Sequence, residues 1–253
     1  MTPQRQFRIA AIKPHSLDEI WRHDSTDVRA QCFRLMLAVL LMLLAVFAGA
    51  LWMDSSAATR FMREDGPVET ATVALYGLCL ALMFLRGGMS YLRKHWYAAT
   101  LVLVLALREL DLHKEFTTMG IFRTRFFLSD KVPAAEKLIG ALVIIAILAV
   151  LIIAVRRHWR RWWQGLRQLN PIAVGITVAV LLGVLSKTLD GSKRKLESIG
   201  LDVTDMLQER LFLVEETLEL GIPCFLLIAL HAYLKRPAPK PEVPRVPVAS
   251  EGD

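Results

Sequence analysis

The sequence predicts an all-α, polytopic membrane protein with six transmembrane helices, and three observations carry that reading. Hydrophobic residues make up 54% of the 253 and the mean hydropathy is +0.41, yet 22% of the residues are charged, so the apolar content must be sorted into blocks. Six uncharged stretches supply those blocks, at 35–53, 70–85, 96–107, 138–155, 172–186 and 220–234. Lys and Arg are unequally shared between the flanks: with the N-terminus inside, the cytoplasmic segments hold 18 and the opposite segments 12. That excess predicts both termini in the cytoplasm, and the short loops and basic anchors fit a bacterial-type inner (plasma) membrane.

The first 34 residues read as a cytoplasmic segment. Block one follows a long mixed stretch rather than a short basic one, and no small-residue cleavage site stands behind it, so it reads as a retained helix rather than a secretory signal. Ser16-Leu17-Asp18-Glu19 has capping-box spacing, which predicts a short amphipathic helix over 17–30. The six-helix domain then occupies 35–234. Behind block four stands "RRHWRRWWQGLRQLN", residues 156–170, whose Arg and Trp directly after an apolar span read as a headgroup anchor and topology determinant, not a nucleic-acid surface. The net charge of +7 follows largely from such anchors and so says little of an acidic partner, while the apolar blocks make the lipid bilayer the expected one. Residues 235–253, rich in proline, read as a disordered cytoplasmic tail. The three cysteines, Cys32, Cys79 and Cys224, fall within or beside the apolar blocks, so no disulfide framework is expected.

Block length then locates a site. A bilayer core of about 30 Å needs roughly 20 helical residues. Blocks one and four, with 19 and 18 uncharged residues, nearly meet that alone, whereas helices two, three, five and six have 16, 12, 15 and 15. All four are short at their outer ends, which predicts a bundle of helices two, three, five and six around a polar cavity at the outer face, with helices one and four at its periphery. Helix three would have to continue through "RELDLHKE", residues 108–115, to cross.

Intramembrane charges are expected to pair, to face the bundle interior and to mark function. The cavity residues so predicted are Glu69, Arg108, Glu109, Asp111, His113, Lys187, Asp190, Glu215, Glu216 and Glu219. On a continued helix three, Glu109 and His113 stand one turn apart, while Arg108, Asp111 and Glu115 form a separate trio. On helix six, Glu215, Glu216 and Glu219 share one face and need counter-charges, for which Arg108, His113 and Lys187 are candidates. Lys187 and Asp190 stand at i, i+3, with Gly191 placed to cap helix five. Glu69 sits near the positive end of helix two, behind Pro67. Pro223, beside Gly221, is the one candidate kink. Two loops, 116–133 and 191–211, are long enough to lie over the cavity.

Three functional readings remain open. The first is a protein whose outward-facing acidic cavity binds or transports a cation, a proton or a small solute. The second is an intramembrane metal-dependent lipid hydrolase, with a divalent metal held by Glu109, His113, Glu216 and Glu219. In its general architecture that reading resembles the alkaline-ceramidase and adiponectin-receptor class, which implies a zinc site built from several histidines. The chain departs from that pattern, since of its six histidines only His113 maps to the outer side. The third is a non-catalytic assembly or sensor component whose ionic network sets helix pairing. No P-loop, dinucleotide glycine pattern, nucleophile elbow or paired-cysteine motif is present, which speaks against nucleotide-driven and Ser- or Cys-nucleophile chemistry and predicts no organic cofactor site.

Overall fold

The computed structural model describes residues 15–62, 66–110, 117, 120–121, 124–197, 200, 202 and 204–235, and these are helical with no strand among them. The helices are α1 (His15–Trp52), α2 (Ser55–Met62), α3 (Pro67–Lys94), α4 (Trp96–Glu109), α5 (Thr124–Leu128), α6 (Ala134–Arg167), α7 (Pro171–Leu189), α8 (Ser192–Glu197) and α9 (Asp205–Leu234). The expected helix over 17–30 is not a separate element, because α1 runs unbroken from His15 into the apolar block. The rest of the N-terminal segment and the tail beyond Lys235 lie outside the described residues.

Four stretches are long and apolar enough to cross a membrane: Asp27–Trp52, the stretch containing α3, α6 and α7. The six-span expectation is thus met at four. The 14 residues of α4 reach only about 21 Å at 1.5 Å each. With 30 residues α9 is long enough, but its first half carries Asp205, Glu209, Glu215, Glu216 and Glu219.

That polar helix is the centre of the molecule. Every residue from Glu219 to Phe225 is buried, so α9 is enclosed on all sides rather than along one stripe. It packs against α7, α1 and α3, while α4 lies between α3 and α6. The placement of helix one at the periphery is therefore corrected. Cys32, Met36, Leu43 and Ala50 recur at intervals of four, seven and seven, forming one buried stripe on α1, with Leu37, Leu41 and Leu44 on its open side. The peripheral position of helix four stands: along α6 only Gly140 is buried.

Close approach of α7 to α9 follows from small residues. Gly175, Ala179 and Gly183 stand four apart, and a Cβ on Gly175 would lie 3.1 Å from both the Phe225 carbonyl oxygen and the Ala229 Cβ. Ser186 continues that stripe and is 1% exposed. At the start of α7, Asn170 accepts a hydrogen bond from the Ile172 N–H at 3.0 Å, with Pro171 at the first helical position.

The backbone break falls in α3 rather than at Pro223. Gly88 has φ 70°, ψ 179°, a conformation that glycine alone adopts readily, whereas α9 stays helical through Pro223. Gln31, just before the apolar part of α1, and the end of α9 share one end of the bundle, where Lys235 Nζ donates to Gln31 Oε1 at 3.3 Å. We call this the terminal end, and the other the far end.

Candidate functional site

At the far side of the bundle, about halfway along α9, the buried Glu219 carboxylate is the point where three helices meet. Its Oε1 accepts one hydrogen bond from Arg108 Nη2 at the end of α4, and a second from Ser186 Oγ of α7 at 2.7 Å. Each contact has a local cause. The small-residue stripe of α7 brings Ser186 against α9, and the end of α4 carries Arg108 within reach. Pro223, one turn after Glu219, lacks the N–H that would bond the Glu219 carbonyl, so the backbone here keeps an acceptor that an ordinary helix would use.

Around this triad lie further polar side chains. Tyr76 of α3, 1% exposed, neighbours Arg108, Glu109 and Glu219. Glu109 is an electrostatic neighbour of both Glu219 and Glu69. One turn before Glu219, Glu216 lies within electrostatic range of Glu109 and Glu69, and Glu215 within range of Asp190 and Lys187. Five carboxyls thus share one region with the Arg108 guanidinium. Removing one partner of a buried ion pair leaves an uncompensated charge, so Arg108 and Glu219 depend on each other.

The ten expected residues divide accordingly. Glu69, Arg108, Glu109, Glu215, Glu216 and Glu219 come together. Lys187 and Asp190 do not join them directly: they pair with each other at the end of α7, with side chains 63% and 49% exposed. Arg108 is the counter-ion that reaches Glu219, while Lys187, paired with Asp190, lies near Glu215. Gly191 takes φ 66°, as expected of the residue that ends α7. From α8, Lys195 Nζ donates to the Asp190 carbonyl at 2.7 Å and the Thr188 carbonyl at 3.2 Å, filling acceptors left over at the helix end. Partial burial raises the Asp190 carboxyl, but the hydrogen bond and charge of Lys187, with Lys195 and Arg108, outweigh it and hold the group below the usual carboxylate range.

Helix three is corrected as well. It ends at Glu109, and Leu110 already has φ −72°, ψ 4°. The expected continuation through 108–115 stops there, and Asp111 and His113 lie outside the described residues. Arg108 reaches across to Glu219, and the expected trio with Asp111 and Glu115 falls outside the described residues. Among the described residues no three His, Cys, Asp or Glu side chains are arranged to hold a metal ion; of the expected set Glu109, His113, Glu216 and Glu219, His113 lies outside them.

Sequence reasoning missed Tyr76 and Ser186. Both had a signal: Tyr76 stands seven residues after Glu69 on the same face of an otherwise apolar helix, and Ser186 extends the Gly-x-x-x-Ala-x-x-x-Gly stripe of α7. Compared with known proteins, the chain matches no family model, no curated protein and no solved structure.

Proposed function

We propose that the region around Glu219 is a cation- or proton-binding site of a multi-pass membrane protein, in which α4 and α9 cross beside the four apolar spans and both termini face the cytoplasm of a bacterial-type inner membrane. The observation that carries this reading is the buried Glu219 carboxylate, shared by Arg108 and Ser186 and surrounded by Glu69, Glu109, Glu215 and Glu216. Several carboxyls close together cannot all ionise unless protons or cations offset them. An arriving cation or proton competes with Arg108 for Glu219, so occupancy of the site and the tie between α4 and α9 are linked. Such a linkage is what a solute- or proton-coupled membrane protein requires. The far-side position supports an outward-facing cavity, given the orientation read from the Lys and Arg bias.

The test is thermal unfolding of the full chain in detergent, titrated separately with sodium, potassium, magnesium, calcium and zinc, and scanned from pH 5 to 9. A binding site predicts that one of these raises the wild-type unfolding midpoint in a saturable way and that Glu219→Gln abolishes the response. Loss of zinc by dialysis with concomitant loss of lipid-cleaving activity would favour the hydrolase reading instead. An unresponsive wild type that retains a stoichiometric protein partner through purification would favour the assembly reading and sink ours.

A further inference from the structure

At the terminal end a second polar cluster links four helical elements, and nothing in the far-side site uses it. His95 occupies the turn between α3 and α4. Its Nδ1 is 3.1 Å from Tyr97 Oη, and its Nε2 is 3.1 Å from Tyr233 Oη of α9. Tyr97 Oη is in turn hydrogen-bonded to His158 Nε2 of α6. Four side chains thus form one unbroken sequence, Tyr233–His95–Tyr97–His158. The break at Gly88 supports it: after the break Tyr91 lies against the His95 ring at 4.5 Å and the Tyr233 ring at 5.7 Å, closing the cluster from α3. Tyr97 is 3% exposed, and the Arg157 guanidinium covers its ring at 5.7 Å.

Proton counting restricts this sequence sharply. A neutral imidazole has one N–H and one bare nitrogen, and a phenol has a single O–H. Tyr97 contacts two ring nitrogens, so one must donate to it while it donates to the other. Only two neutral arrangements satisfy every bond. In one, Tyr233 O–H donates to His95 Nε2, His95 Nδ1–H donates to Tyr97, and Tyr97 O–H donates to His158 Nε2. In the other, all three bonds are reversed.

We propose that Tyr233, His95, Tyr97 and His158 are a proton relay across the terminal end, carrying protons between the central helix α9 and the basic overhang of α6. One passage converts the first arrangement into the second. A proton joins Tyr233 oxygen as its own O–H proton passes to His95 Nε2. The His95 Nδ1–H bond breaks as a new Tyr97 O–H bond forms, and the former Tyr97 proton moves to His158 Nε2. The Nδ1–H proton of His158 then leaves. One proton enters, one leaves, every ring ends neutral, and nothing is oxidised or reduced. The charges facing the relay keep its rings neutral: burial lowers the His95 pKa, with Lys94 of α3, His158, and Arg157 of α6 acting in the same direction. Arg161 of α6 and Tyr91 of α3 are its other ionisable neighbours. On α9, two residues before Tyr233, the buried His231 Nε2 has no hydrogen-bond partner among the described residues, so a further titratable nitrogen stands at the same end.

The relay is independent of the reading of Glu219. Its test is 15N-histidine NMR of the full chain in lipid nanodiscs near pH 7, with His95→Asn and His158→Asn used for assignment. The relay predicts that His95 Nδ1 and Nε2 and His158 Nε2 resonate between the protonated and unprotonated positions, averaged by exchange. Tyr97→Phe should resolve both rings into fixed tautomers. Tyr233→Phe is the decisive variant, since Tyr233 does not touch His158: the relay predicts that the averaging at His158 is lost there too, in a protein whose remaining spectrum is unchanged. A fixed tautomer at His158 in the wild type, or averaging at His158 that survives Tyr233→Phe, overturns the proposal and leaves the cluster a static tie between helices. A variant that does not fold is replaced by deuterium exchange at the wild-type His158 ring, where protection from exchange would equally overturn it.

Discussion

At the residue scale the molecule depends on how Glu219 is held. An acid this deep is retained only because Arg108 and Ser186 meet the same oxygen. Replacing Arg108 with Ala leaves a charge without its partner, and because a third of the Arg108 side chain is exposed we expect a loss of about 1–3 kcal/mol in unfolding free energy. The double variant Arg108→Met, Glu219→Leu should recover most of that loss, because paired apolar side chains avoid desolvation altogether. A thermal or denaturant cycle of the two single variants and the double variant checks this; additive losses would mean the pair is not coupled. Glu219 and Arg108 were legible as site residues because four blocks were too short on one side. Their pairing was not, since sequence spacing reports neighbours within a helix and Arg108 finds its partner 111 positions away. Ser186 stayed hidden because one hydroxyl barely changes the hydropathy of a block.

At the element scale, glycines and caps set how helices bend and approach. Gly88 lies where side-chain-bearing residues are strained, so Gly88→Ala should cost about 1–3 kcal/mol, seen as a lower unfolding midpoint. Gly175→Leu should destabilise by a similar ~1–3 kcal/mol, since its first side-chain carbon already meets backbone. The end of α7 adds a pH dependence with a definite sign. The Asp190 carboxyl is held below its ordinary range, so its ion pair stabilises fully above about pH 4 and fades as pH falls through the folded-state value. The gap in unfolding midpoint between wild type and Asp190→Asn should accordingly shrink as pH falls below about 4; a gap that widens would reverse the assignment. Helix positions were legible, as the six uncharged stretches, Met53 apart, fall within α1, α3, α4, α6, α7 and α9. Their arrangement was not. Hydropathy ranks helices by apolarity and so placed α1 outside, whereas its buried stripe is specified by shape, through Cys32, Met36, Leu43 and Ala50. The break at Gly88 was missed because a Gly-Gly pair at the end of an apolar run resembles an ordinary helix stop.

At the scale of the whole molecule, the Lys235–Gln31 contact places the first and last described helices at one end. The Lys and Arg bias then predicts that single cysteines introduced at 27 and 235, in a background lacking the native three, react with an impermeant maleimide only from the cytoplasmic side. One introduced at 191 should react only from the opposite side. Labelling of 27 and 235 from different sides would break the arrangement. The central position of α9 also bears on how the protein is made. This helix is the least able to enter lipid by itself, and among the described helices it leaves the ribosome last. Its acids are enclosed between α1, α3 and α7, which are synthesised earlier. On the proposed reading, in which α9 crosses beside the four apolar spans, its insertion is a templated event: the early helices act as the chaperone for the late one, and a chain cut short before α9 should be recognised and degraded as an unfinished bundle.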